Sequence, residues 1–482
     1  ERRIAQADVD GALDHMYEDD ENLRYVTLQL ERHEQAAALL RQILIEERMV
    51  PFSLIDSRVA RLFVIGAIRR RENTAQPVDV LPQRAHCAIR NRIYERALRQ
   101  YLTGRAPDAS PEQRASSPAI DAEHYVDLTV RVRGQDAPFM VTVEANNSSV
   151  SGDVTLALES LALHERLERI AQGQAREGDL AELGTMLWRG IPPLASKYVA
   201  CRHEARDRKG VRIKLHLEPE ALAALPWECL YDPEREHFPA LSPWTPLTRC
   251  VASRQSTALP PLFDLPLRIL VVCAAPVDGP TVERSRIVEA VTALGAQSKG
   301  QIQVLQHATV GSLQAALHRS YQVLHYIGPG GWRPDGREGT LMLEAEGGEA
   351  HPISAAQLAY LIRDTSVRLA VLDVGEANGA AAGPSLGRAL VGAGLPAALS
   401  TQFAISETSA TIFIDEFYGA LAEGWPVDAA VAEARKGVMV ATSLKAVDWS
   451  SPVLFVRLTE NVRSRQRLTR RKIWQSSGGS AC

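Results

Sequence analysis

The sequence has few of the features that mark a secreted, membrane-spanning or nucleic-acid-binding protein. Its six cysteines are scattered without a C-x-x-C pair, so we expect reduced thiols rather than a disulfide framework or a zinc site. The 54 basic and 58 acidic residues give a formal charge of -4, which does not indicate nucleic acid or anionic lipid as the main partner. The longest apolar runs, such as residues 267–276, are too short to cross a bilayer, and no signal-peptide pattern opens the chain. A cytoplasmic protein is therefore expected.

The sequence also lacks a phosphate-binding loop. No G-x-x-x-x-G-K-[ST] motif occurs, and the glycine-rich run at residues 328–331 is not followed by lysine. We therefore expect no nucleotide, and no other cofactor or metal is indicated. The first residue is Glu1 rather than Met, which we interpret as a chain processed or trimmed from a longer protein.

The composition predicts a globular chain of more than one domain. Of the 482 residues, 45% are hydrophobic and 23% are charged, as in ordinary folded proteins, and the length exceeds what one core normally holds. Residues 1–102 have helical periodicity and a short basic segment around Arg70, which together predict a winged-helix-like bundle. Residues 103–123, rich in Pro, Ser and Ala, predict a linker, and the basic residues 461–482 predict a flexible tail.

Beyond the linker the apolar pattern changes to that of an α/β sheet. Alternation at residues 125–132 and 139–144 predicts a hairpin within an N-terminal portion, residues 124–266. In the core portion, residues 267–460, short apolar runs such as 323–327 and 369–372 alternate with helical segments, which predicts a mostly parallel sheet sandwiched by helices. Functional residues of such sheets follow the carboxyl ends of the strands. Residues 328–332 and 373–379 are therefore predicted to be the functional loops.

Six sequence runs resemble one family. They are LPWECLYDP at 225–233, LSPWTPLTR at 241–249, LHYIG at 324–328, FYGALAEG at 417–424, AVAEAR at 430–435 and WSSPVLF at 449–455. In this order they are similar to the bacterial CHAT domain, a member of the caspase and separase-like cysteine peptidases. The similarity extends over roughly residues 124–457 and implies a caspase-like fold. Residues 89–96 resemble the winged-helix end of AAA-like, STAND-type ATPase modules, whose nucleotide-binding core this sequence lacks.

The resemblance also implies a catalytic dyad that this sequence does not have. Family members usually carry a Gly-His-Gly loop after the first of these two strands and a Cys-Glu pair after the second. The His is the general base, and the Cys thiolate attacks the peptide carbonyl. Here the His position is Pro329 and the Cys position is Gly375. Proline has no titratable group and glycine has no side chain, so we predict that no residue is catalytic.

Residues around these positions are candidates for a binding cleft. They are His325, Gly328, Gly330, Asp373, Gly375, Glu376 and Glu407. His325 lies inside its strand, and a structural role in the core is the favoured interpretation. Asp373 and Glu376 either bind a basic group or cap a turn. Glu407 is either a remnant of a substrate pocket or the cap of a helix that begins near Thr408.

The leading hypothesis is a catalytically inactive CHAT-type pseudopeptidase, a scaffold or regulator in a bacterial signalling or defence assembly. Its partner would be a protein or peptide, such as an active CHAT peptidase or a STAND-type ATPase. One alternative is an active caspase-like peptidase that uses a displaced residue or is completed in trans, although Cys229 and Cys273 are interpreted as small buried hydrophobes. A second alternative is a nucleic-acid-binding regulator that uses the N-terminal bundle and the basic tail.

Overall fold

The chain divides into two compact units, Glu1–Pro118 and Ala119–Cys482. In the first unit the computed structural model describes residues 30, 34–46, 48–50, 62, 67–72, 85–89, 95, 98–99 and 102. In the second it describes residues 125–145, 148–176, 178–205, 210–252, 263–279, 287–289, 291–292, 300–332, 339–375, 383–442 and 447–458. The predicted linker and the predicted basic tail lie outside these ranges.

The first unit contributes one helix and one hairpin among its described residues. Helix α1 comprises Glu34–Leu44, and strands β1 (Ile68–Glu72) and β2 (Ala85–Ile89) pair in antiparallel fashion. Leu40 of α1 and Ile68 of β1 belong to the same small apolar core. Most of the residues on which the winged-helix interpretation depends are not described, so that arrangement stays a prediction.

The second unit is built on one sheet of 13 strands. Its first part supplies β3 (Tyr125–Arg133), β4 (Met140–Ala145), β5 (Ser148–Asp153), β6 (Gly210–Leu217) and β7 (Leu247–Ala252). Its second part supplies β8 (Leu267–Cys273), β9 (Gly300–Leu305), β10 (Val323–Trp332), β11 (Gly339–Glu344), β12 (Ala350–Ser354), β13 (Leu369–Gly375), β14 (Ala397–Thr401) and β15 (Pro452–Leu458). The order across the sheet is β9-β8-β10-β13-β14-β15-β7-β6-β3-β4-β5, and β11 and β12 form a hairpin on the C-terminal end of β10.

Most neighbouring strands run parallel. Strands β9, β8, β10, β13 and β14 form one parallel block, and β15, β7, β6 and β3 form another. The antiparallel pair β14–β15 joins the two blocks into one sheet. The inner strands are continuous apolar runs because both of their faces are covered. The predicted fold class, a mostly parallel sheet flanked by helices, is confirmed.

Helices cover both faces of this sheet. They are α2 (Leu161–Ala171), α3 (Asp179–Arg189), α4 (Pro192–Ala205), α5 (Glu220–Ala223), α6 (Val310–Leu317), α7 (Ala355–Ile362), α8 (Gly383–Gly392), α9 (Glu407–Ala422) and α10 (Val427–Thr442). Leu324 and Tyr326 of β10 pack in one apolar core with α6, α7 and α8. His325, between them in sequence, contacts Tyr418 of α9 on the opposite face, as strand alternation requires. Within the described ranges, no helix has the length and apolar character needed to cross a membrane.

Candidate functional site

The two positions that the family resemblance assigns to the catalytic dyad lie side by side. Strands β10 and β13 are parallel neighbours, and in their register Pro329 is the cross-strand partner of Gly375. Neighbouring strands are about 4.8 Å apart, so side chains at these positions would be within contact distance. The fold therefore brings together two positions that are far apart in the sequence.

The backbone at these positions is strand rather than the predicted loop. β10 continues to Trp332, paired with β13 through Pro329 and with β11 from Gly330 onward. β13 likewise continues to Gly375. The prediction of open loops is therefore wrong for residues 328–332 and 373–375. The reason is that a glycine-rich segment, although typical of loops, can also pair at close quarters where no Cβ intervenes.

Close packing explains why glycine occupies the positions flanking Pro329. A Cβ on Gly330 would stand 2.1 Å from Cγ1 of Val374, and a Cβ on Gly328 would stand 2.7 Å from the phenol oxygen of Tyr326. The phenol oxygen of Tyr326 lies 2.7 Å from the carbonyl oxygens of both Pro329 and Met342, which share its one proton as acceptors. The retained glycines therefore serve packing, and their presence is not evidence for a peptide-binding loop.

His325 is enclosed in the core. Its side chain is fully buried, and a hydrogen bond of 3.1 Å joins its Nδ1 to the phenol oxygen of Tyr418. Burial lowers the pKa of His325 to about 3, so the imidazole is neutral near pH 7 and is a weak base. Its Nε2 has no hydrogen-bond partner among the described residues. This geometry supports a structural role for His325.

Among the described residues, the acidic candidates Asp373 and Glu407 lie on different elements, β13 and α9. Asp373 is buried within β13, and Glu376 lies outside the described residues. Glu407 is the first residue of α9, and the N-cap is Ser406, whose hydroxyl accepts a hydrogen bond from the backbone N–H of Ser409. The helix therefore begins one residue earlier than predicted, and Glu407 is not its cap. A carboxylate at this position is favourable because it faces the positive end of the helix dipole.

Four of the described thiols, those of Cys201, Cys229, Cys250 and Cys273, have raised pKa values that do not suit a nucleophile. Burial raises the pKa of Cys229 to about 12 and the pKa of Cys250 and of Cys273 to about 11. Burial also raises the pKa of Cys201. A thiol with a pKa near 11 is ionised in only about one molecule in ten thousand at neutral pH. Cys273, at the end of β8, is half-buried, but it shares this protonated state.

Four of the recognised sequence runs, 225–233, 241–249, 430–435 and 449–455, contribute to one buried network of charged and amide side chains. Arg249 of β7 forms an ion pair with Glu228, and its Nε lies 3.0 Å from Oε1 of that carboxylate. Gln402, immediately after β14, bridges the pair. Its Oε1 accepts from Arg249 at 3.0 Å, and its Nε2 donates to Glu228 at 2.9 Å. Arg249 also donates to the carbonyl oxygens of Ala223 and Leu225, so nearly all of its donors are used.

The C-terminal runs complete this network. Gln402 donates to the carbonyl oxygen of Ser450 at 2.9 Å, and Arg435 of α10 donates to that of Pro452 at 2.7 Å. The guanidinium of Arg435 lies 4.0 Å from Glu228. Burial lowers the pKa of Arg435 to about 10, and the charge of Glu228 opposes this effect. These four runs thus keep the buried charges of Glu228, Arg249 and Arg435 close to one another. Sequence reasoning included Arg435 only as the end of the run 430–435 and did not single out Gln402, because single polar residues are ordinarily exposed.

A second polar pair lies at the carboxyl ends of β8 and β9. The exposed imidazole of His307 places Nδ1 3.2 Å from the buried carboxylate of Glu344, which also accepts from the backbone N–H of Ala275 at 2.8 Å. The backbone N–H of Glu344 donates to the carbonyl oxygen of Ala308. These bonds fasten the β11–β12 hairpin to the strand ends, and no sequence pattern indicated them. Across the described ranges, no group of three His, Cys, Asp or Glu side chains is placed to hold a metal ion.

Comparison with known proteins identifies solved structures and one family. No curated protein sequence matches this chain. Twenty-eight chains of solved structures match it. One of these comes from the Saccharomyces cerevisiae separase–securin complex, with 10% sequence identity and a TM-score of 0.37, covering 76% of this chain and 33% of that chain. This chain thus spans about a third of the length of that relative.

The model of one family, described as the CHAT domain, matches residues 178–457 of this chain. This range is more than half of the 482 residues and includes the complete buried network together with Pro329 and Gly375. CHAT domains are part of the cysteine peptidase superfamily, so the protein is related to peptidases. The match over the greater part of the chain shows that this protein belongs to the CHAT domain family.

Proposed function

We propose that the protein is a catalytically inactive CHAT-type pseudopeptidase that acts by binding other proteins. The observation that carries the proposal is the cross-strand pairing of Pro329 with Gly375. These positions are neighbours, as a base and a nucleophile must be, but neither has a group that can accept a proton or attack a carbonyl. The paired strands that would position a base and a nucleophile are present, but neither reactive group is.

The backbone around the two positions gives further support. Gly328 and Pro329 pair with β13, and Gly330 pairs with β11. Stabilisation of a tetrahedral intermediate needs backbone N–H groups directed at the substrate from a preorganised loop. Residues that pair within the sheet are poorly placed for that role. The backbone pairing therefore supports the proposal independently of the two side chains.

The competing hypothesis is an active peptidase that uses a displaced residue. It requires a thiolate or a competent base near the paired positions. The raised pKa of Cys273 leaves its thiol protonated, and the lowered pKa of His325 leaves a weak base, both because burial disfavours the charged form. A partner that completed the site in trans would have to supply both groups.

The proposed partner is a protein or peptide in a bacterial signalling or defence assembly, such as an active CHAT peptidase or a STAND-type ATPase. Trp332, at the end of β10 three residues after Pro329, is 38% exposed and provides an aromatic contact surface beside the lost site. The nucleic-acid alternative depends on the N-terminal bundle and the basic tail, which lie mostly or wholly outside the described residues, and it stays a prediction from the sequence.

One peptide library tests both halves of the proposal. We expect no hydrolysis by the wild-type protein and no labelling by a thiol-directed peptide electrophile, while members of the library bind without being cleaved. The variant Trp332→Asp should weaken this binding, whereas Tyr360→Asp, which changes another exposed aromatic on α7, should not.

Robust turnover by the wild type that is lost in Cys273→Ser or His325→Gln would show that a displaced residue is catalytic. If no peptide of the library binds the wild-type protein, and none changes the thermal midpoint of its unfolding, the protein-binding role loses its support.

A further inference from the structure

Among the described strands, three are edge strands of the sheet, namely β12, β9 and β5. They differ in how well they are protected against pairing with another chain. Strand β12 contains Pro352, which cannot donate to a further strand. Strand β9 is mostly half-buried, and its Gln303 is held by the side chains of Arg319 and Tyr321. Strand β5 has neither form of protection. An unprotected edge is a template for pairing with another chain, so natural proteins usually block or cover it.

Strand β5 lacks the residue types that usually protect an edge strand, and it is exposed to solvent. Its six residues, Ser148–Asp153, include no proline, lysine or arginine. All of them are exposed except Gly152, which is half-buried. Val150 is 42% exposed, a large value for an apolar residue in a strand. One side of β5 pairs with β4 along its full length. Among the residues that the structure describes, no strand pairs with the opposite side, so its backbone donors and acceptors lie open next to an apolar side chain.

We propose that β5 pairs in antiparallel fashion with β5 of a second copy of this chain, so that two sheets join into one across a two-fold axis. A closed two-fold dimer is the commonest assembly of soluble proteins, and an antiparallel strand pair is self-complementary by construction. This inference does not rest on the proposed function, because it concerns the opposite end of the sheet from the lost site.

The side-chain pattern selects one register. The two-fold axis stands perpendicular to the sheet, so paired residues must have side chains on the same face. Ser148, Val150 and Gly152 share the face of α4, because their β4 partners include the buried residues Val141 and Val143. Pairing centred on Val150 places the two exposed valines directly opposite each other and removes both from water. It also places Ser148 of one copy opposite Gly152 of the other.

The charges next to β5 are compatible with this register. Nζ of Lys197 on α4 donates to Oγ of Ser148 at 2.7 Å, whereas Pro193 of α4 packs beside Gly152. Because the strands are antiparallel, Lys197 of one copy lies nearest Pro193 of the other. The two ammonium groups are therefore kept apart, and like-charge repulsion does not oppose the dimer.

The oligomeric state of the full chain tests the proposal. We expect a dimer by size exclusion with light scattering at micromolar concentration. Val150→Lys places two ammonium groups opposite each other and should raise the dimer dissociation constant by about tenfold or more, whereas Val150→Thr should leave it nearly unchanged. Far-UV circular dichroism and the thermal midpoint of each variant verify that the fold is intact.

A cysteine scan tests the register itself. Directly opposite residues of an antiparallel pair have Cα atoms about 4.5–5.5 Å apart, within the range for a disulfide. Val150→Cys should therefore form a covalent dimer under mild oxidation, whereas Ser149→Cys alone should not. A monomeric wild type, a dimer that Val150→Lys leaves unchanged, or a Val150→Cys variant that does not cross-link would each overturn the proposal.

Discussion

The imidazole of His325 shows how a residue type that is common at active sites becomes structural through its surroundings. It lies on β10 four residues before Pro329, fully buried, with its ring bonded to the phenol of Tyr418. Burial removes water from the charged form, so the pKa falls to about 3. The imidazole of His325 is therefore held neutral by the core, in agreement with the structural role favoured from the sequence.

This burial has a consequence for stability in acid. The ordinary pKa of 6.5 applies to the unfolded chain, which takes up the proton first as the pH falls, so the free energy of unfolding should decrease between pH 6.5 and about 3. Relative to His325→Gln, the wild type should lose about 1.4 kcal/mol per pH unit within this window. Urea denaturation at pH 7 and pH 5 measures the difference. Parallel pH profiles for the two proteins would show that His325 is not buried as described.

At the scale of secondary-structure elements, strand β10 differs most from the structure that its sequence predicts. The run GPGG at 328–331 is typical of a loop, but it continues a strand that pairs with β13 and then β11. Contacts from other elements decide this outcome. Val374 leaves no room for a side chain at Gly330, and the phenol of Tyr326 holds the carbonyl of Pro329.

A double-mutant cycle tests this packing between β10 and β13. Gly330→Ala should destabilise the protein by about 1–3 kcal/mol, because the added methyl overlaps Cγ1 of Val374. Val374→Ala should recover part of this loss in the double variant, so that the two changes are not additive. Gly331→Ala is the matched control, since its nearest neighbour is the flexible end of Met342 at 3.2 Å. Additive effects in chemical denaturation would contradict the predicted contact.

At the scale of the whole molecule, the second unit is held together by a sheet and a charge network that both connect distant parts of the chain. Strand β15 pairs with β7 and thereby joins the part before residue 253 to the part after residue 262. Glu228 connects the same two parts through Arg249 and Gln402. These links cross between the predicted portions 124–266 and 267–460, so the two portions share one sheet.

The shared network predicts that the two parts open together. Glu228→Gln leaves Arg249 and Arg435 without their buried counter-charge and should destabilise the protein by about 3–5 kcal/mol. Native-state hydrogen exchange should show the same loss of protection in β6 and in β13. Glu220→Gln, a change to an exposed acid on α5, should alter neither. Loss of protection confined to β6 would show that the two parts unfold independently.

The sequence by itself predicted the family and the α/β fold class, and it shows Pro329 and Gly375 at the positions that the resemblance assigns to the catalytic dyad. Each of these can be recognised from a single residue or from a short run of neighbouring residues. Apolar runs such as 369–372 mark buried strands, the runs at 225–233 and 449–455 are short enough to recognise directly, and the residue at a catalytic position is read without a structure. By contrast, the polar strand β5 has no such pattern, because an exposed edge needs no apolar alternation.

Only the tertiary structure decided how these pieces act on one another. It paired Pro329 with Gly375, turned a glycine-rich segment into strand, enclosed His325, and gathered Glu228 and Arg249 with three distant segments. The physical reason is that periodicity reports the environment of one element at a time. Strand pairing, desolvation and ion pairing arise between residues that are distant in the sequence, 93 positions apart for His325 and Tyr418 and 174 for Glu228 and Gln402, and they exist only when the chain has folded.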